Sequence, residues 1–228
     1  MDRSATPRFA VQASSRPSHT AALEATSRKL GITLLPWQRQ VAQVALEHAG
    51  GKLAYRDVVV SVPRQSGKTT LILVVVVHRM LASPRQRLVY GAQTRLAARG
   101  KLFDTWWPLL RACPLGELFT LTKATGAEAL RCRNGSILTL LSTEEAAGHG
   151  ETLDLAVLDE AWALDASAEQ GVRPAMVTRR NAQLWMLSTA GTDRSTFWRG
   201  KVDAGRTQAA TGLDGGMAYF DVLRVVGR

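Results

Sequence analysis

Two short stretches carry the residue types that phosphate chemistry needs. The first is Pro63-Arg64-Gln65-Ser66-Gly67-Lys68-Thr69-Thr70, preceded by the apolar run Val58-Val59-Val60 and followed by Leu71 to Val77. Strand, tight glycine-containing loop, helix is the order a phosphate-binding loop requires. In that geometry the loop's N–H groups and the helix N-terminus converge on one point and favour an anion there. Lys68 would set its ammonium against the β and γ phosphates, and the Thr69 hydroxyl would ligate Mg²⁺. The usual pattern places a glycine five residues before Gly67, where this chain has Val62. On the loop alone, an ordinary strand-turn-helix with a surface lysine competes.

The second stretch is Leu155-Ala156-Val157-Leu158-Asp159-Glu160-Ala161. Apolar residues ending in adjacent carboxylates read as a buried parallel strand with acids at its carboxyl end, the edge where open α/β sheets bind ligands. Asp159 suits a magnesium shell. Glu160 suits polarising a water for in-line attack on a γ-phosphate. A helix N-terminus with stabilising acids is the alternative for this stretch alone. Two further sets bear on the same chemistry. Trp37 and Gln38 lie just upstream of the loop, where Gln38 can pair with an adenine edge and Trp37 can pack on the ring; a core tryptophan beside a solvated glutamine is the plainer reading. Ser188 and Thr189 end the run Gln183 to Ser188, where small hydroxyls beside a γ-phosphate can sense hydrolysis or simply cap a helix.

The elements that would position these residues can be read along the chain. Residues 1–22 lack periodicity and are rich in Ser, Ala, Pro and Arg, which predicts a mobile arm before a domain spanning 23–228. A helix is expected from Pro36 to about His48, ended by Gly50-Gly51. The phosphate-loop helix should span about 67–82, apolar nearly all round and so buried on a sheet. Arg87 to Gly91 reads as a strand, and Thr94 to Ala112 as a basic helix. Ala129 to Arg133 and Ser136 to Leu141 read as a hairpin turning at Asn134-Gly135 in type I′. Ser142 to Gly150 reads as a polar loop over the site. Helices at about Ala163–Thr178 and Ser195–Ala209 and a strand at Ala218–Val226 complete the reading. The fold class is α/β, a mainly parallel sheet with helices on both faces, with the phosphate loop and the acidic strand side by side.

Composition sets the outer bounds. The chain has 228 residues and is 46% hydrophobic, enough for a sizeable core. Lys+Arg at 29 against Asp+Glu at 19 gives +10, a balance that suits a polyanion such as DNA. Two cysteines, Cys113 and Cys132, lack metal-ligand spacing and fit a reducing compartment. No secretory signal is apparent, and the longest apolar run, Leu71 to Val77, is too short to span a bilayer, so no membrane partner is expected.

Taken together, the motifs resemble the ATPase part of the large terminase subunits of tailed bacteriophages. Pro63 to Thr69 looks like that family's departed phosphate loop, in which an Arg-Gln pair precedes x-Gly-Lys-[Ser/Thr] and the first glycine is often absent. Leu35-Pro36-Trp37-Gln38 is similar to its adenine-binding motif, Leu155 to Ala161 to its acidic strand, and Leu187-Ser188-Thr189-Ala190-Gly191 to its coupling motif. The resemblance implies a P-loop NTPase of the RecA-like (ASCE) kind that uses ATP and Mg²⁺. Nucleotide contacts would come from Trp37, Gln38, Arg64, Gln65, Ser66, Gly67, Lys68, Thr69 and Thr70. Thr69 and Asp159 would hold the metal. Glu160, Lys68 and a cis arginine, Arg64, would carry catalysis, while Ser188 and Thr189 would couple it to movement. The implied partners are double-stranded DNA, further copies in a ring (a pentamer on the portal), the portal protein and the small terminase subunit. The implied location is the host cytoplasm and, transiently, the procapsid portal, and not the mature virion. An arginine reaching into a neighbour's site is left open among Arg131, Arg133, Arg179 and Arg180, with His149 as a substitute. No acidic cluster of the family's nuclease follows residue 192, so no DNA cleavage is expected of this chain. A superfamily 2-like helicase would need a second RecA-like domain, which the residues after Thr192 are too few to form. A catalytically silent DNA-binding or ring-building module is the remaining alternative.

Overall fold

The structure, a computed structural model, describes residues 7–141, 152–212 and 216–222. Strand β1 (Phe9–Ala10) and helix α1 (Thr20–Lys29) come first, then α2 (Pro36–Ala45) and the short strands β2 (His48–Ala49) and β3 (Lys52–Leu53). Strand β4 (Asp57–Ser61) leads through a loop into α3 (Lys68–Ala82) and then β5 (Arg87–Gly91). Helix α4 (Arg95–Gly100), a π-helical segment (Lys101–Trp106) and α5 (Trp107–Arg111) follow without a break. Strands β6 (Phe119–Thr122), β7 (Ala129–Cys132) and β8 (Ile137–Leu140) form a meander. The chain continues through β9 (Leu155–Asp159), α6 (Ala166–Met176), β10 (Gln183–Ser188), α7 (Thr196–Thr211) and β11 (Met217–Asp221).

One nine-stranded sheet runs β1-β11-β4-β10-β9-β5-β8-β7-β6. From β11 to β8 every pairing is parallel, and the two edges are antiparallel. Successive strand residues point to opposite faces. Val58, Val60, Val157, Trp185 and Leu187 pack with α1, α2 and α3 on one side. Val59, Ala156, Leu158, Leu184 and Met186 pack with Val172 and Met176 of α6 and Trp198 and Val202 of α7 on the other. Being covered twice, β9 and β10 are buried along their whole length, which is why their sequences run apolar without alternation. Helix α3 is buried from Leu71 to Met80, as its all-round apolar sequence requires. The expected α/β class, with helices on both faces, is the one observed.

Several expectations change in detail. The phosphate strand β4 and the acidic strand β9 are not neighbours; β10 lies between them, in register with both. Helix α2 stops at Ala45, and Gly50 and Gly51, at φ 54° and 72°, turn the β2–β3 hairpin instead of ending a helix. In the β7–β8 turn only Gly135 has positive φ, and its N–H bonds back to the Cys132 carbonyl. That is a three-residue connection with a glycine bulge, not type I′. Within the segment expected as an arm, Phe9 and Ala10 pair with β11, and α1 begins at Thr20. Backbone pairing and the buried Glu47 carboxylate, which accepts from Ser14 N and Oγ at 2.7 Å each, anchor a stretch whose side chains show no periodicity. The loop Ser142 to Gly150, including His149, and the expected end of the last strand beyond residue 222 lie outside the described residues.

Candidate active site

The carboxyl ends of β4, β10, β9 and β5 open onto a cleft of about 450 Å³ lined by the phosphate loop, Glu160, Thr189 and side chains from beyond β5. The loop's shape is set locally. Gln65 sits at φ 59°, and Gly67 caps α3 at φ 89°. Ser66 Oγ donates to the Pro63 carbonyl at 2.7 Å and closes the turn. Residues Arg64 to Thr69 all line the cleft, and Arg64 and Gln65 are exposed there. Thr70 lies one residue farther into α3, half-buried, and is not among the lining residues.

Trp37 and Gln38 act on this loop from behind. Both are about 1% exposed, and neither lines the cleft. Trp37 Nε1 donates to the Ser66 carbonyl at 3.2 Å, and Gln38 Nε2 to the Gly67 carbonyl at 2.9 Å. Gln38 Oε1 accepts from Leu35 N at 2.8 Å, so the glutamine also fixes the start of α2. In this conformation the pair holds the phosphate loop in place.

Lys68 and the two acids meet across the inserted strand. Lys68 Nζ lies 2.7 Å from Asp159 Oδ1 and 2.6 Å from Glu160 Oε1. The ammonium is nearly buried, a setting that demands opposite charge beside it. Asp159 is held from its other side by the Tyr90 hydroxyl, which donates to Oδ2 at 3.0 Å. Burial, reinforced by Asp159, pushes the Tyr90 pKa well above its ordinary value, so Tyr90 stays a donor. Glu160 takes left-handed backbone at φ 53°, and its N–H bonds Asp159 Oδ1 at 2.9 Å. Non-glycine residues hold such a conformation at a cost of about 1–3 kcal/mol, and such residues cluster at functional sites. Ser188, at the end of β10, is buried and accepts from Trp162 N at 2.9 Å.

The family model for the terminase large subunit ATPase domain matches residues 36–206. The chain belongs to this family. No curated protein matches it. Among solved structures, the HK97 bacteriophage large terminase is similar at TM-score 0.75 and 18% identity, over 90% of this chain and 44% of that one. The Thermus phage P74-26 large terminase ATPase domain is similar at TM-score 0.58 and 17% identity, over 86% of this chain and 83% of that one. The large terminase of a thermophilic bacteriophage, in complex with ATP-γ-S, is similar at TM-score 0.56 and 13% identity, over 86% and 44%. The chain thus spans less than half the length of the HK97 protein. These likenesses establish the fold, the RecA-like P-loop sheet of terminase ATPase domains.

Reasoning from sequence missed four residues of the candidate site. Tyr90 lay hidden in the strand pattern of β5. Gln93 and Lys101 reach the cleft from beyond β5, and Trp162 from the turn after β9. Lys101 begins the π-helical segment, a deviation common at functional sites but without a sequence signature. The residues left open as arginines for a neighbour's site are placed away from this chain's own cleft. Arg131 pairs in register with Ile137, which pairs with Arg87 at the amino end of β5; Arg133 follows in the turn. Arg179 and Arg180 precede β10, where Arg179 lies 3.6 Å from Asp154 and Arg180 bonds the Gly50 carbonyl.

Proposed function

We propose that this chain is the ATP-hydrolysing domain of a viral DNA-packaging motor. The observation that carries the reading is Lys68 Nζ within 2.7 Å of both Asp159 and Glu160 at the mouth of the phosphate loop. On ATP binding, Lys68 exchanges carboxylate oxygens for β- and γ-phosphate oxygens, and Glu160 is then free to polarise the attacking water. Arg64, exposed on the cleft wall and without an ion pair among the described residues, suits the charge that develops on the γ-phosphate. Gln65, Ser66, Gly67 and Thr69 complete the phosphate cradle, Thr70 follows it in the first turn of α3, and Trp37 and Gln38 fix it from behind.

The donor set fits Mg²⁺. Thr69 lines the cleft and the buried Asp159 lies 2.7 Å from Lys68 Nζ, and this ion takes one or two protein oxygens together with phosphate oxygens. Among the described residues no group of three His, Cys, Asp or Glu side chains is placed to hold a metal. When bound, it would neutralise charge on the β and γ phosphates. Ser188, joined to the acidic turn through Trp162, and Thr189, on the cleft wall, would relay the loss of the γ-phosphate to the rest of the domain. The large terminase of a thermophilic bacteriophage, crystallised with ADP and with ATP-γ-S, supports the nucleotide class.

Double-stranded DNA, further copies in a pentameric ring, the portal protein and the small terminase subunit are the partners this reading implies. The motor would work in the host cytoplasm and on the procapsid portal. No helix of the described residues is long and apolar enough to cross a membrane. The test is steady-state ATP hydrolysis, with and without DNA, by wild type, Lys68→Ala and Glu160→Gln. Turnover should fall by roughly 10²-fold or more in both variants. Glu160→Gln should still bind ATP and Lys68→Ala should not. Equal rates in all three proteins would overturn the reading.

A further inference from the structure

We infer that Trp162 is a positioning residue that orients the Glu160 carboxylate and ties it mechanically to Ser188, an inference that rests on the hydrolytic reading of the site. Glu160 has two oxygens with two different jobs. Oε1 faces Lys68 at 2.6 Å, and Oε2 accepts from the indole Nε1 of Trp162 at 2.9 Å. An indole N–H donates only and does not titrate, so it can hold a carboxylate without adding charge to the cleft. Once Lys68 turns to phosphate, Oε1 is free for a water while Oε2 stays pinned. A general base works only from a fixed place within hydrogen-bond reach of its proton.

The same tryptophan reaches the next strand. Its backbone N–H donates to Ser188 Oγ at 2.9 Å. A Cβ built on Gly191 would stand 3.0 Å from Trp162 Cβ, so the loop after β10 packs directly on this residue. The turn is tightened by Ala163 N bonding the Glu160 carbonyl at 2.9 Å, which leaves Trp162 little freedom apart from Glu160. One residue therefore joins the carboxylate after β9, through its indole, to the Ser188 hydroxyl, through its backbone N–H, and packs on Gly191 beyond β10. Movement of either should be felt by the other.

The experiment compares wild type, Trp162→Phe, Glu160→Gln and the double variant by kcat, KM and ATP affinity. Phenylalanine keeps the Cβ that faces Gly191 and an aromatic ring, and removes the indole donor. We expect Trp162→Phe to lower kcat by about tenfold or more while KM and ATP affinity stay within about twofold. In the Glu160→Gln background it should cost nothing further. In ¹H–¹⁵N spectra the indole resonance missing from Trp162→Phe identifies Trp162, and it should move in Glu160→Gln, where a neutral acceptor replaces a carboxylate. A raised KM with unchanged kcat would overturn the inference by making Trp162 a nucleotide contact. Equal losses in both backgrounds, or an indole resonance indifferent to Glu160→Gln, would also overturn it. Wild type that neither binds nor hydrolyses ATP would instead sink the hydrolytic reading, and the indole resonance would still decide whether Trp162 holds Glu160.

Discussion

Gly67 meets two constraints at one atom. Its φ of 89° lies in the left-handed region, and a Cβ there would stand 2.9 Å from Gln38 Nε2. Gln38 uses that same nitrogen to hold the Gly67 carbonyl. Alanine at 67 must therefore take a strained backbone, costing about 1 kcal/mol or more, and push away the side chain that fixes the loop. If the loop's N–H groups are the anion site, as proposed above, the damage falls on nucleotide binding before it falls on the fold. We predict that Gly67→Ala weakens ATP affinity by more than about tenfold, equivalent to about 1.4 kcal/mol. Titration with a fluorescent ATP analogue beside a thermal melt measures both. Unchanged affinity would mean that the loop's shape is held by something other than Gly67 and Gln38.

At the scale of elements, the strand, loop and helix around Gly67 and the strand ending at Asp159 were legible, because apolar runs bounded by Pro63, Gly67 and Asp159 leave few ways to fold. The order of strands was not. Nothing local in β10 says that it inserts between β4 and β9; that follows from the parallel crossovers of the whole sheet. The contacts of Trp37 and Gln38 were likewise illegible, since a donor aimed at a loop carbonyl and one aimed at a base look alike in sequence. Gly205 is a comparable case. It sits inside α7, where alanine ordinarily adds about 1 kcal/mol of stability. Here a Cβ would come within 2.1 Å of the Tyr219 ring on β11, so the glycine is what lets helix and strand approach. Gly205→Ala should destabilise the domain by about 1–3 kcal/mol, measured as a lowered urea midpoint, and a stabilised variant would refute that packing.

Helix α3 adds a dependence on pH. Burial, then Arg79 and His19, lower the His78 pKa from 6.5 to about 4. The unfolded chain takes up a proton near pH 6.5 that the folded chain refuses until about pH 4. Stability from the neutral imidazole is thus fully present above 6.5 and lost as pH falls toward 4. Between about pH 7 and pH 5, wild type should lose about 2 kcal/mol more than His78→Gln. Denaturant curves at the two pH values check this, and parallel losses in both proteins would place the acid sensitivity elsewhere.

At the scale of the whole molecule the charge of +10 has to be reconciled with a site whose centre sets one cation, Lys68, against two carboxylates, Asp159 and Glu160. Other charges are also spent internally. Arg173 forks onto Asp57 at 2.6 and 2.7 Å, Arg206 bonds Asp221 at 2.6 Å, and Lys201 reaches Glu169 at 2.7 Å. The excess positive charge therefore sits largely outside these pairs, as at Lys123, Arg131 and Arg133, which are exposed at the β6–β7 edge. Such charge attracts a phosphate backbone by releasing its counterions and reads no bases. The packaging motor proposed above would need that kind of grip, since it would have to pass every sequence alike. We predict that affinity for double-stranded DNA falls by at least about tenfold between roughly 50 and 200 mM salt, a drop that about two neutralised phosphates suffice to produce. Random and AT-rich duplexes of equal length should bind within a few-fold of one another. Anisotropy titrations across that salt range decide the matter: a flat salt response, or strong preference for one sequence, would show that the surplus charge is not a backbone grip and would leave it only as a source of solubility.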